Sequence, residues 1–235
     1  MRKITIKEYF DSISYDYEKD KNVLKDILRL TKTRVNQNIK SFDFSYGMEQ
    51  TFFLKAAVES MKARNFFEIG TGRGTASYAV SRIKSVEEIL TVDIIPHNQK
   101  KNEAIDYKPA LVSNADLYDL IKFKEKEKIQ FKHTDDYLDI TAKYVSFFDV
   151  CFIDGNHDVE SIILNDFNIC MKVLKRPGYI IWDDYDPNKF QVKKVVDDIR
   201  HKHKYECELI EFRGHLFGDK APEKNAGEVI MKISE

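Results

Sequence analysis

Three aspartates stand where two apolar runs end. Asp154 closes "FFDVCFID", and Asp183 and Asp184 close "GYIIWDD" 29 residues later. A carboxylate at the edge of a core is costly unless something offsets its charge. Three carboxylates on one rim repel and desolvate one another unless a cation joins them. All-oxygen donors with open positions suit a hard divalent ion: Mg²⁺, or Mn²⁺ or Ca²⁺. The competing reading is that one or two of them cap the following helix and the third is surface. His157, three residues after Asp154 in "DGNHD", is placed to accept a proton near neutral pH, although a histidine in such a turn can serve only to order the loop. The other histidines are weaker candidates. His201 and His203 lie two apart on a charged helix and share no face, and nothing places His215, in the C-terminal loop, at a site.

A second constellation precedes these acids. In "FFEIGTGRGTASYAV" a strand ends at Glu68, and Gly70, Gly72 and Gly74 follow before a helix begins. Glycines let the backbone approach a ligand closely while the helix N–H groups point into the gap. Position 75 is Thr, so the dinucleotide pattern G-x-G-x-x-G is not met, and the phosphate loop G-x-x-x-x-G-K-[ST] is absent. Asp93 closes the next apolar run, "EILTVD", 25 residues after Glu68. An acid there can accept both hydroxyls of a ribose. Together, loop and acid indicate a cofactor that contains a nucleoside.

The elements that must carry these residues alternate along the chain. Apolar positions at helical spacing run through 20–40 and 47–63. Short apolar runs at 65–70, 88–94, 128–133, 147–155 and 178–184 read as strands, with a helical stretch between the last two that ends before Arg176-Pro177-Gly178. Two further strands, "YECELIEF" and "AGEVIMKI", close the chain. This order predicts an α/β fold with a doubly wound, mostly parallel sheet. Residues 1–45 precede the alternation and read as an N-terminal helical cap, leaving 46–235 as the main domain. The polar segment 95–127 reads as an exposed loop with a solvated helix.

Bulk properties exclude several classes. Lys plus Arg total 38 against 39 Asp plus Glu, so there is no basic surplus of the kind a nucleic-acid binder carries. No apolar run approaches the roughly 20 residues of a membrane helix, and the N-terminus has no secretory core. Cys151, Cys170 and Cys207 are odd in number and show no zinc-ligand spacing, which fits buried thiols in a reducing cytoplasm.

With these motifs in hand, the chain resembles the class I S-adenosylmethionine-dependent methyltransferases. The likeness is carried by "FEIGTGRGTAS" followed by "TVDI", and by "FDVCFIDGNHDVESIILNDFNICMKVLKRPGYIIWDDY". The second stretch is similar to a small-molecule O-methyltransferase subgroup that includes bacterial sugar and macrolide O-methyltransferases, cephalosporin-hydroxylase-like proteins and, more distantly, catechol O-methyltransferases. The resemblance implies a Rossmann-like, seven-stranded sheet with an antiparallel last strand. It implies that Gly70, Thr71, Gly72 and Gly74 face the methionine part of S-adenosylmethionine, with Glu68 near its amino group, Asp93 on the ribose and Thr134 or Asp135 beside the adenine. Asp154 would border both the cofactor and the metal, with Asp183 and Asp184 as further ligands; some members carry Asn at the last position. Catechol-type relatives place a lysine base where this chain has His157, and sugar-type relatives place an aspartate where it has Asn156.

The expectation is therefore a cytoplasmic, divalent-metal-assisted O-methyltransferase that acts on a hydroxyl of a small molecule, a sugar or a natural-product intermediate. A metal-independent methyltransferase, including one acting on nitrogen, is the alternative enzyme. A catalytically silent cofactor-fold binding protein is the alternative outside catalysis. Neither nucleic acid nor membrane is expected as a partner, and a homo-oligomer is left open.

Overall fold

The computed structural model describes residues 1–28, 44–105, 108–119, 121, 123–218 and 221–234. One eight-stranded sheet organises them, in the order β1 (Arg2–Thr5), β9 (Glu206–Glu211), β10 (Gly227–Ile233), β8 (Leu174–Tyr185), β7 (Phe148–Ile153), β2 (Asn65–Ile69), β3 (Glu88–Asp93) and β6 (Ile129–His133). Its central strands are β2, β3, β6, β7 and β8, all mutually parallel where they pair. β10 runs antiparallel between β8 and β9. The seven expected strands are present with an antiparallel last strand.

The eighth strand comes from the N-terminus. β1 (Arg2–Thr5) pairs in parallel with β9, so the segment expected to be purely helical also extends the sheet. Thr5 and Glu8 then form a reciprocal capping box that starts α1 (Ile6–Ser12). α2 (Tyr17–Leu24) covers the first part of the helix expected over 20–40; residues 29–43 lie outside the described residues.

Helices cover both faces of the sheet. α3 (Glu49–Ser60) is apolar nearly all round and accordingly buried, with Phe52, Phe53, Leu54, Ala57 and Val58 inaccessible to solvent. It packs with α1, α2 and α4 (Thr75–Ser81) against Phe66, Phe152 and Ile181. The opposite layer consists of α6 (Tyr137–Lys143), α7 (Glu160–Val173) and α8 (Val192–His203) over Phe67, Cys151, Trp182 and Val229. Cys151 and Cys170 are buried free thiols, while Cys207 is half-buried. His201 and His203 are exposed on α8, in the solvated positions their spacing suggests.

The polar segment after β3 contains more structure than expected. It forms a two-stranded hairpin, β4 (Lys101–Ile105) with β5 (Lys108–Val112), and a helix, α5 (Asn114–Asp119). α5 is not solvated: Asn114, Leu117 and Tyr118 are buried beside the glycine loop. No helix among the described residues is long and apolar enough to cross a membrane.

Candidate active site

Backbone hydrogen bonds tie three parallel strand ends together at one rim. Gly70 N–H donates to the Val92 carbonyl at 2.8 Å, and Asp154 N–H donates to the Ile69 carbonyl at 2.8 Å. Gly70 lies so close to the next strand end that a Cβ there would sit 1.8 Å from the Asp154 carbonyl oxygen, and its φ is +96°. Only glycine fits. Gly72, at φ +51°, is different: a Cβ there would meet nothing within 4 Å, because this glycine borders open space.

That space is a cavity of about 570 Å³, within the usual size range of small-molecule sites. Its floor is formed by Ile69, Gly70, Gly72, Val92 and Asp93, and one side by Asp154, Gly155 and Asn156. Thr134 and Tyr137 contribute from the segment after β6, and Ile162, Asn165 and Asp166 from one face of α7. Asp93 accepts from Gly72 N–H and Ile95 N–H, both at 2.8 Å, so its carboxylate is fixed at the rim.

Five of the nine residues expected at a cofactor line this cavity: Gly70, Gly72, Asp93, Thr134 and Asp154. The other four do not. Glu68 points to the opposite face of the sheet, where Ser77 Oγ donates to it and burial pushes its carboxyl up to about 7. It anchors α4. Thr71 Oγ1 bonds Thr91 Oγ1 at 2.6 Å, and Gly74 starts α4 at φ 76° with its carbonyl held by the Tyr118 hydroxyl. The Asp135 side chain is 91% exposed and pairs with His133 at 3.1 Å. Tyr137, Asn165 and Asp166 were not foreseen from the sequence. The i, i+3, i+4 spacing of Ile162, Asn165 and Asp166 is a usable signal once that helix face is known to border the cavity. Burial pushes the Asp166 carboxyl up to about 7, with the Tyr137 hydroxyl pulling the other way.

Beside the cavity, the expected acidic cluster has a different internal order. Asp154 and Asp183 act on each other: burial first, then repulsion by Asp183, raises the Asp154 carboxyl well above the carboxylate range, and Asp183 Oδ1 is buried without a hydrogen-bond partner among the described residues. One proton shared between them lowers that repulsion. Asp184, at a left-handed φ of 53°, breaks the strand alternation and accepts from the Arg213 guanidinium. His157 stands between the two groups, Nε2 3.6 Å from Asp154 and Nδ1 3.6 Å from Asp184. Its ring packs on Phe190, and its carbonyl accepts from Gln191 N–H at 2.9 Å. Asn156 Oδ1 accepts from Asp158 N–H and Val159 N–H, so it orders the turn into α7.

The residues do not fit the expected metal as a three-ligand set. Two of the three expected ligands are buried and repel each other, and the third is engaged by an arginine. Among the described residues, no three His, Cys, Asp or Glu side chains are grouped to hold an ion.

A doubly wound sheet with an antiparallel final strand, and a glycine turn and an acid at the carboxyl ends of β2 and β3, is the arrangement of a Rossmann-like fold. The family described as "Methyltransferase domain" matches residues 67–185, just over half of the 235 residues, and the chain belongs to that family. It is a methyltransferase. An uncharacterized protein of Acanthamoeba polyphaga mimivirus is 25% identical over 175 residues, 72% of this chain and 72% of that protein. Among solved structures, the O-methyltransferase from Bacillus cereus in complex with SAH has a TM-score of 0.55 at 16% identity, covering 97% of this chain and 96% of that one. The O-methyltransferase TomG from Streptomyces achromogenes, involved in tomaymycin synthesis and in complex with SAM, has a TM-score of 0.54 at 15% identity, covering 79% and 80%. These two likenesses are of fold.

Proposed function

We propose that the chain is an S-adenosylmethionine-dependent O-methyltransferase acting on a hydroxyl group of a small molecule. The observation that carries this reading is the cavity at the glycine loop. Ile94, 75% exposed, and Ile162, 44% exposed, offer apolar faces to a planar base, and Asp93 stands at the floor for ribose hydroxyls. Gly70 and Gly72 leave room for the remainder of the cofactor beside Asp154. The bound sulfonium supplies a methyl group already activated for transfer.

The residues then have only to hold the acceptor and take its proton. His157 borders the rim with both ring nitrogens directed at carboxylates, so an imidazolium formed there faces Asp154 on one side and Asp184 on the other. We assign it as the general base, receiving the hydroxyl proton at a ring nitrogen as the methyl group is transferred. The carboxyl groups of Asp154 and Asp183 offer hydrogen bonds that orient the acceptor. Supporting an oxygen rather than a nitrogen acceptor are the two neighbours of shared fold, both O-methyltransferases.

Isothermal titration calorimetry with S-adenosylhomocysteine tests the cofactor assignment: saturable one-to-one binding is expected. Screening hydroxylated metabolites for S-adenosylhomocysteine release tests the acceptor class. Binding of NAD with no response to S-adenosylhomocysteine would overturn the reading.

A further inference from the structure

Arg213 enters the acidic rim from the loop after β9. Its side chain is 17% exposed, its guanidinium donates to Asp184, and it lies 3.4 Å from Glu223. Its charge also acts on Asp183 and on Glu228, which is fully buried on β10. Four acids feel the charge of this one arginine, and it is bonded to two of them, Asp184 and Glu223.

Three separate segments hold the arginine in place. Glu223 N–H donates to the Arg213 carbonyl at 3.1 Å, closing the loop that carries both residues. Gly214 N–H donates to Glu49 Oε1 at 2.8 Å, which ties the loop to the first turn of α3. The Tyr46 hydroxyl donates to Glu223, and Gly47 N–H to Glu49 Oε2 at 2.7 Å, so the segment before α3 buttresses both acids. A surface arginine pair contributes little, but a buried charge needs a partner and a fixed geometry, and this loop supplies both.

We infer that Arg213 is the resident cation of the rim: it takes the electrostatic place of a divalent ion beside Asp184, Asp183 and Asp154, so the rim binds free divalent cations weakly. A hard cation needs oxygen ligands with free lone pairs and tolerates neighbouring positive charge poorly. Asp184 commits one oxygen, Oδ1, to the guanidinium, and any ion between Asp154 and Asp183 would feel the charge of that guanidinium. Removing Arg213 takes the guanidinium charge away from Asp183, Asp184 and Glu228, and a divalent ion is the simplest replacement. Only the consequence for methyl transfer rests on the function proposed above; the property of the rim does not.

The test is a titration of the full chain with Mn²⁺ read by electron paramagnetic resonance, free of cofactor and acceptor. Arg213→Met should gain a saturable site at least about tenfold tighter than any on the wild type, since removing one nearby positive charge changes affinity on that scale. Adding Asp183→Asn should remove that site, and Arg213→Lys should behave as the wild type does. A change of less than about threefold in Arg213→Met overturns the inference. So does a wild-type site tighter than about 10⁻⁴ M that Asp183→Asn abolishes. The wild-type measurement decides the matter if Arg213→Met does not fold: lack of such a site supports the inference and its presence overturns it. Calorimetry with S-adenosylhomocysteine on the same samples reads the cofactor assignment separately, so the two can fail independently.

Discussion

Gly70 and Asp154 meet backbone to backbone: a methyl group on Gly70 would lie 1.8 Å from the Asp154 carbonyl oxygen. This contact closes the rim, because each residue also donates its N–H to a neighbouring strand end, Gly70 to Val92 and Asp154 to Ile69. Backbone cannot move aside as a side chain can. Gly70→Ala should therefore cost about 2–4 kcal/mol of stability, combining left-handed strain with overpacking. Urea denaturation monitored by circular dichroism checks this. Gly72→Ala meets open space and should cost only about 1–2 kcal/mol, while weakening S-adenosylhomocysteine binding because the added methyl enters the cavity.

Asp93 holds the loop and faces the cavity at once. Both its oxygens accept backbone N–H bonds, from Gly72 and Ile95. Asp93→Ala should weaken S-adenosylhomocysteine binding by about 1–3 kcal/mol, the scale for losing a charged hydrogen-bond acceptor. Calorimetry reads it directly, and an unchanged Kd would remove Asp93 from the cofactor site.

His157 is the proposed base. His157→Gln should lower kcat by roughly 10²–10⁴ while leaving donor affinity unchanged, since the side chain faces the acceptor side of the rim. Near-normal turnover in the Gln variant would reduce His157 to a turn residue packed on Phe190.

Asp166 predicts a pH dependence of stability. Burial raises its carboxyl to about 7 in the folded chain, against an ordinary carboxylate value near 4 in the unfolded one. The folded state therefore holds more protons between those values, and stability falls as pH rises through that window. The contribution is fully present below about pH 4 and lost above about pH 7. Asp166→Asn should flatten this part of the curve and gain on the wild type, by on the order of a few kcal/mol, as pH rises from about 4 to about 7. Thermal melts across that range, with the other carboxyl groups common to both proteins, check the difference.

Much of the fold was legible because its signals are local. Each central strand is a short apolar run bounded by turns, and the rim residues Gly70, Asp93, Asp154 and Asp183 were visible as the places where those runs stop. The antiparallel last strand was implied by the family resemblance, and two closing strands joined without an intervening helix agreed with it. β1 was missed because four residues of mixed polarity acquire strand character only by pairing with β9, some two hundred positions away. α5 looked solvated because its buried face is short and its contacts, to the carbonyls of Gly72 and Gly74, lie in another segment.

The division at the site is similar. The sequence by itself determined which residue types gather at the carboxyl ends of the strands, since strand order and length fix where each run ends. Which way those side chains turn was decided by tertiary structure alone. Glu68 and Ile69 are adjacent, yet the period-two pleat sends Ile69 to the cavity and Glu68 to Ser77 on the opposite face. Asp183 and Asp184 are adjacent too, but one is buried within the electrostatic reach of Asp154 and the other leaves the alternation for Arg213. That arginine sits in a loop with no periodicity to read, 29 positions away from Asp184. Charge pairing across such a gap depends on three-dimensional distance, which falls off in space and not along the chain, so only the folded structure could assign it.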